Sequence, residues 1–231
     1  MRRETAPRAV AGAALAVVVM LLTAIGSALA GVVEVPVTLP ITQKIDVTGM
    51  RRILVGGFRS NDDPSLDIDV EYVKYLRNLL RRRSTFDIID ADSPPLPEQE
   101  LTDIVANTAY WRRLAQRFSA DLIVAGVVNF DRTDKSGFVT EDYINPISGQ
   151  RSRRTRFAER EGFEMAVTLY FFKGADGELL YEGKLTEEAV FEGRGNDGLT
   201  ALHQLSERSA PEVLGVLMPR QKTETRYLFT E

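Results

Sequence analysis

No cysteine occurs anywhere in the 231 residues, and there is a single histidine, His203. The first absence excludes a disulfide framework, a thiol nucleophile, a Cys-ligated metal and a thiol-borne lipid. The second leaves a His-based metal site or a Ser-His-Asp arrangement almost nothing to work with. A surplus of positive charge is missing too: 29 Lys and Arg face 33 Asp and Glu, a net charge of -4. This argues against a protein that holds nucleic acid by bulk electrostatics. Hydrophobic residues at 44% and charged residues at 27% are ordinary globular values. A disordered, collagenous or multi-spanning chain is thereby excluded. The length suits one sizeable domain and is thin for two.

One long apolar run is present, and it lies at the start. Arg2, Arg3 and Arg8 precede an uncharged stretch from Ala9 to Gly26, and Ser27-Ala28-Leu29-Ala30 offers small residues for a cut after Ala30. This three-part pattern reads as a secretory signal peptide over residues 1–30, with export to a periplasm. The alternative is an uncleaved inner-membrane anchor over residues 9–26, since about 18 residues is near the spanning minimum. Removing residues 1–30 leaves 26 basic and 32 acidic side chains, a net charge of -6.

Residues 31–50 read as an extended linker or edge segment, because Pro36 and Pro40 exclude a helix and a central strand. Residues 51–218 read as a single α/β domain and 219–231 as a C-terminal tail. Within the domain, Arg52 to Phe58 and Asp121 to Phe130 are apolar runs of strand length, of the kind buried on both faces. Phe86 to Asp90 is a third, shorter strand. Between them lie a helix from Val70 to Arg83, which the Asp residues before it can cap, and a second amphipathic stretch from Leu101 to Phe118, in two pieces joined near Asn107. That order favours parallel pairing with helices on the sheet. The second half changes character. Phe138 to Ile144 and a stretch ending at Phe172 flank the turn Asn145-Pro146-Ile147-Ser148-Gly149, and Gly174-Ala175-Asp176-Gly177 turns into Glu178 to Phe191. Both patterns are those of antiparallel hairpins. A helix from Leu199 to Leu217 follows, which Pro211 kinks or restarts. The expected fold is a three-layer α/β sandwich. Its mixed sheet is parallel in the first half, made of antiparallel hairpins in the second, and flanked by helices.

Gly193-Arg194-Gly195-Asn196-Asp197-Gly198 is a literal G-x-G-x-x-G before a helix, the arrangement that brings backbone N–H groups to a pyrophosphate. Its context fails, since no parallel strand follows, and Asp197 or Asn196 capping the helix explains it better. Asp62, Asp63, Asp67 and Asp69 do not match a calcium loop. His203, between Leu202 and Leu205, reads as a boundary packing residue. Glu159/Glu161 and Glu187/Glu188 sit in charged, exposed strand positions, without the apolar pocket that acid–base work needs. No catalytic, metal or cofactor residue is expected. Two basic clusters remain. Arg81-Arg82-Arg83 closes a helix, where positive charge suits the dipole. Arg151, Arg153, Arg154 and Arg156 fall within six residues of an acidic protein, and form the expected partner-binding patch.

Ile45 to Phe58 (IDVTGMRRILVGGF), Ala120-Asp121-Leu122-Ile123-Val124-Ala125-Gly126 and Gly174-Ala175-Asp176-Gly177-Glu178-Leu179-Leu180-Tyr181 resemble the CsgG / TolB N-terminal / LpoB group of bacterial envelope domains. The resemblance covers roughly Ile45 to Phe191 and the final helix. It implies a mixed sheet flanked by helices, an envelope location and a non-catalytic role in secretion or cell-wall assembly. Gly56-Gly57 departs from the bulkier pair usual before that Phe, and the group's lipid-bearing cysteine is missing. A pore is not expected. Between Ser152 and Phe163 both alternate sets carry charges, whereas a membrane strand needs one continuous apolar face. The expected protein is therefore a non-catalytic periplasmic accessory of a secretion, outer-membrane or peptidoglycan-assembly system. Its partners would be other envelope proteins or further copies of itself, without cofactor or nucleic acid. The alternatives are an oligomeric secretion component anchored by residues 9–26 and a nucleotide-dependent enzyme using Gly193 to Gly198.

Overall fold

The apolar runs at Arg52 and Leu122 are too short for helices and too apolar for one-sided strands, and they become inner strands of a sheet. The computed structural model describes residues 31–61, 66–193 and 195–230. The leader read over residues 1–30 lies outside the described residues, as do Asp62, Asp63 and Arg194. Among the described residues no helix is long and apolar enough to cross a membrane.

Among the described residues two compact units arise, one holding residues 31–40 and 221–230, the other running from Ile41 to Arg220. In the first, β1 (Gly31–Ile41) pairs with β9 (Arg220–Thr230) in a two-stranded sheet, where the Thr38 and Thr223 hydroxyls meet at 3.1 Å. Both strands of such a sheet are edges, which is where Pro36 and Pro40 are tolerated. The segment expected as a tail is thus largely strand. Residues 220–226 (RQKTETR) are polar at every position, so no hydrophobic period announces it.

The second unit holds the sheet order β3-β2-β4-β7-β8. Its strands are β2 (Arg52–Ser60), β3 (Asp87–Ile88), β4 (Leu122–Asp134), β7 (Arg160–Lys173) and β8 (Leu179–Glu192). β2 is parallel to β3 and β4, while β4, β7 and β8 are antiparallel. β5 (Gly137–Ile144) and β6 (Arg151–Ala158) form a separate ribbon. The helices are α1 (Ile68–Arg83), α2 (Leu101–Ala106), α3 (Thr108–Phe118) and α4 (Gly198–Leu217). Leu76 and Leu79 of α1 with Leu202, Leu205 and Val213 of α4 close over Val55, Val124 and Val167. Ile104, Trp111 and Leu114 of α2 and α3 cover Leu54, Ile123 and Phe172 on the opposite face. The result is the three-layer α/β sandwich with a mixed sheet.

Local chemistry accounts for most boundaries. Asn107 separates α2 from α3 because its side chain accepts the Tyr110 N–H at 3.0 Å. Asp67 occupies the N-cap position of α1 but makes no side-chain cap, so the expected Asp cap is not formed. The strand expected from Phe86 to Asp90 shrinks to Asp87–Ile88, an edge in register with Arg52 and Ile53, where the Asp87 and Ile89 N–H groups donate to the Arg51 and Ile53 carbonyls. α4 runs without interruption through Pro211.

Asp121 opens β4 and accepts the backbone N–H groups of Arg51 at 2.8 Å and Arg52 at 2.9 Å. These bonds hold its carboxyl below the ordinary aspartate range. A depressed folded pKa stabilises fully above the unfolded value, about 3.9, and the benefit is lost as pH falls through the folded pKa. Asp121→Asn should therefore lower stability at neutral pH by less than about 1 kcal/mol, given the open, water-screened carboxylate. The difference from the native protein should vanish at the acid end of a denaturation–pH profile. A difference that grew with acid would be the wrong sign.

Candidate functional site

β4 and β7 pair from Leu122 opposite Lys173 to Asp134 opposite Glu161. β5 and β6 pair from Gly137 opposite Ala158 to Ile144 opposite Arg151. The register is the same in both ladders, so residues 122–144 and 151–173 are the two limbs of one hairpin. Across the junction Ser136 repairs the ladder: its Oγ accepts the Arg160 N–H at 3.0 Å and donates to the Arg160 carbonyl at 3.3 Å. β8 accompanies the hairpin only as far as Glu192 opposite Arg160. The last eight pairs therefore form a bare ribbon, an arm of roughly 25 Å at the usual rise per residue.

A turn built on Asn145 closes the arm. Its Oδ1 accepts the N–H groups of Ile147 and Ser148 at 2.9 and 3.3 Å, and Gly149 takes a φ of +65°. Ile147 at the tip is 96% exposed. One face of the ribbon carries Phe138, Thr140, Asp142 and Ile144 opposite Phe157, Thr155, Arg153 and Arg151. The other carries Val139, Glu141 and Tyr143 opposite Arg156, Arg154 and Ser152. Phe138 and Phe157 meet edge to face at 5.5 Å, yet Phe138 remains 79% exposed. The Thr140 and Thr155 hydroxyls meet at 3.1 Å. Such cross-strand pairs contribute roughly 0.2–1 kcal/mol each, and a two-stranded ribbon with nothing beneath it is marginal in water.

The arginines singled out from the sequence all lie on this arm, but they are not one patch. Arg151 and Arg153 share the face of the two Phe residues, and Arg153 lies 3.7 Å from Asp142. Arg154 and Arg156 share the other face. Arg156 binds Glu141 at 2.7 Å and reaches Glu192 at 3.5 Å, and it holds the Glu141 carboxyl below its ordinary range. The exposed Phe138, Phe157, Ile144 and Ile147 were not singled out. Counting outward from the turn would have set Phe138 opposite Phe157.

The other constellations have structural employment. Asp197 accepts the Leu199 and Thr200 N–H groups, each at 3.2 Å, so the N-terminal donors that a pyrophosphate would need are taken. Glu161, expected to be exposed, is largely covered; it accepts the Asn196 N–H at 3.0 Å and pairs with Arg132 at 3.4 Å. His203 is exposed, its ring 6.0 Å from that of Tyr75. Arg81 pairs with Asp90 and Arg83 with Glu207. A depression beside the carboxyl end of β2, where open α/β sheets hold ligands, is lined by Gly57, Lys74, Arg77 and Ser93. Its guanidinium is engaged with the Ala91 carbonyl and with Ser93 Oγ, and Lys74 binds Glu71. Among the described residues no group of three or more His, Asp or Glu side chains is placed to hold a metal.

No family model matches the chain, and comparison with curated proteins gives no match. Several solved structures are similar. A PelC dodecamer from Paraburkholderia phytofirmans has 13% identity and a TM-score of 0.37, over 80% of this chain and 100% of that one. The hypothetical protein CT253 from Chlamydia trachomatis has 13% identity and a TM-score of 0.44, over 73% and 96%. The LpoB C-terminal domain from Salmonella enterica has 13% identity and a TM-score of 0.34, over 63% and 84%. Of the three family names carried by the sequence resemblance, LpoB returns among these structures. Likenesses this distant assign no function.

Proposed function

We propose that the chain is an exported, non-catalytic binding protein of the bacterial envelope, an accessory of secretion, outer-membrane or peptidoglycan assembly, acting through the arm 137–158. The observation that carries the reading is the arm itself. It leaves the sheet, has no core of its own, and holds Phe138, Ile144, Ile147 and Phe157 in water. Apolar groups exposed together on a protruding element mark an interaction surface. The leader pattern of residues 1–30 supports export, and the resemblance of the 45–58, 120–126 and 174–181 motifs supports the envelope setting.

The test separates binding from folding. Joining Ser136 to Glu159 through an Asn-Gly turn, in place of residues 137–158, keeps the ladder in register. Apart from Ala158 at its base, the arm's described side chains are exposed or half-buried, so this variant should melt within about 1 kcal/mol of the full chain. It should retain none of the envelope proteins that cross-link to the full chain. The triple reversal of Arg151, Arg153 and Arg154 to Glu should weaken that retention at an unchanged melting temperature; Arg156 is left alone because it holds Glu141 and Glu192. Undiminished retention by the armless variant would overturn the reading.

A further inference from the structure

A row of three carboxylates crosses the sheet. Asp131 of β4 stands directly opposite Glu164 of β7, and Glu164 stands directly opposite Glu188 of β8. All three are exposed. Side chains in directly opposed positions stand about 5 Å apart, and like charges there are destabilising. The ladder thus stores a repulsion that its own pairing does not relieve. Asn61 donates to Asp131 Oδ1 at 3.1 Å, a neutral contact. Lys135 lays its stem across Gly162 at the arm-side margin, and Arg208 of α4 donates to the Glu188 backbone carbonyl at 2.9 Å, two cations at the margins of three carboxylates.

The surroundings of the row make it a receiving surface. It lies on the sheet face that α2 and α3 cover only as far as Ala125 and Tyr170. Beyond those two residues the face has no helix above it among the described residues. The adjoining positions are small and uncharged: Asn129, Ala166 and Thr186 on one side, Thr133, Gly162 and Val190 on the other. The surface is flat, acidic and wide enough for a β-ribbon.

The same chain carries the complement. The arm holds four Arg against Glu141 and Asp142, and the rest of residues 31–231 has 22 basic and 30 acidic side chains. The positive element of this protein is the arm, and its apolar face presents Arg151 and Arg153 beside Phe138, Phe157 and Ile144, against the single carboxylate of Asp142. Those two arginines are two residues apart on one strand, about 7 Å; Asp131 and Glu188 are two strands apart, about 9.5 Å. An arm laid along the row therefore brings both guanidinium groups over the three carboxylates. It cannot be the chain's own arm. The unbroken register turns the Phe138 face of the ribbon to the side of the sheet opposite the row.

The geometry points to a second copy of this chain as the occupant of the acidic face: the arm of one protomer docks, by its Phe138–Arg153 face, across Asp131, Glu164 and Glu188 of the next. The contact is head-to-tail, so it builds a ring if the rotation closes and a filament if it does not. This inference rests on the reading of the arm as the binding element. Its test is charge exchange between purified full-length chains in a non-ionic detergent buffer, followed by sedimentation velocity. The native chain should self-associate, less so as salt is raised. Arg151→Glu/Arg153→Glu should weaken association at least about tenfold, and so should Asp131→Lys/Glu164→Lys/Glu188→Lys, since opposed like charges are costly at an interface. Mixing the two variants, or combining both sets in one chain, should restore assembly. A native chain that stays monomeric at every concentration overturns the inference, as does a mixture that fails to recover. Neither result touches the arm's retention of other envelope proteins, which the armless variant tests separately.

Discussion

Replacing Trp111 by alanine should cost about 3–5 kcal/mol of folding free energy, the range for emptying a buried aromatic site. That is a large share of the roughly 5–15 kcal/mol a domain has in total. Trp111 is 1% exposed, and its ring stacks on Phe172 at 3.8 Å between centroids, with the planes 12° apart. The indole N–H donates to the Ile104 carbonyl at 2.8 Å. One side chain thus ties α3 to α2 and both to the sheet. The layer has little else to rely on. α2 has six residues and α3 eleven, below the length at which helices hold themselves in water. Alanine would remove the stack, open a cavity and leave the Ile104 carbonyl with the Asn107 N–H as its one remaining donor. Trp111→Phe keeps much of the stack and loses the hydrogen bond and part of the ring's packing, about 1–3 kcal/mol. Urea denaturation checks both, with the alanine midpoint expected far below the phenylalanine one. Coincident midpoints would mean that the α2–α3 layer is not held by this residue.

The parts legible in the sequence were those whose signal is local. Arg52 to Phe58 and Asp121 to Phe130 are apolar throughout because both faces of those strands are covered, by α1 and α4 on one side and α2 and α3 on the other. Asp197 gave itself away as a cap, and Asn107 as the joint between α2 and α3, where the structure shows its side chain capping α3. The motifs behind the family resemblance also prove to be fold residues. Asp121 ties down the Arg51 and Arg52 N–H groups. Gly177, at a φ of +79°, makes the turn before β8.

The binding features were poorly legible for a physical reason. Alternation along residues 152–163 says which arginines share a strand face, but only the cross-strand register says what stands opposite. That register brings Phe138 to Phe157 and separates Arg151 and Arg153 from Arg154 and Arg156. The acidic row is further from reach. Its members are 57 positions apart in sequence, from Asp131 to Glu188, and only the pairing of three strands joins them. β9 stayed hidden because residues 220–226 are polar at every position, which leaves no hydrophobic period to read.

Gly126→Ala should be the costliest single-methyl change in the sheet, at about 3 kcal/mol, the upper end of overpacking. The reason lies in the register between β2 and β4. Val55 pairs with Val124 and Phe58 with Gly126, so three residues of β2 advance against two of β4. The extra residue falls at Gly56-Gly57, and it turns Phe58 from the α2–α3 side to the α1–α4 side, where it meets Tyr72 at 5.1 Å. That rotation lays the Phe58 ring over Gly126. A Cβ there would stand 2.8 Å from Phe58 Cε1 and 2.1 Å from the Thr168 carbonyl oxygen of β7. The ring can move aside, but the carbonyl is fixed by its own ladder. Phe58→Leu in the Gly126→Ala background should therefore return only part of the loss. Gly56→Ala is the matched control, since its nearest neighbour would be 3.4 Å away, and it should stay within about 0.5 kcal/mol. The three urea midpoints decide between two accounts of these glycines. Close approach of backbones predicts a large effect at 126 and almost none at 56. A general need for a flexible strand predicts equal losses at both, and would remove the bulge as the reason Phe58 faces α1.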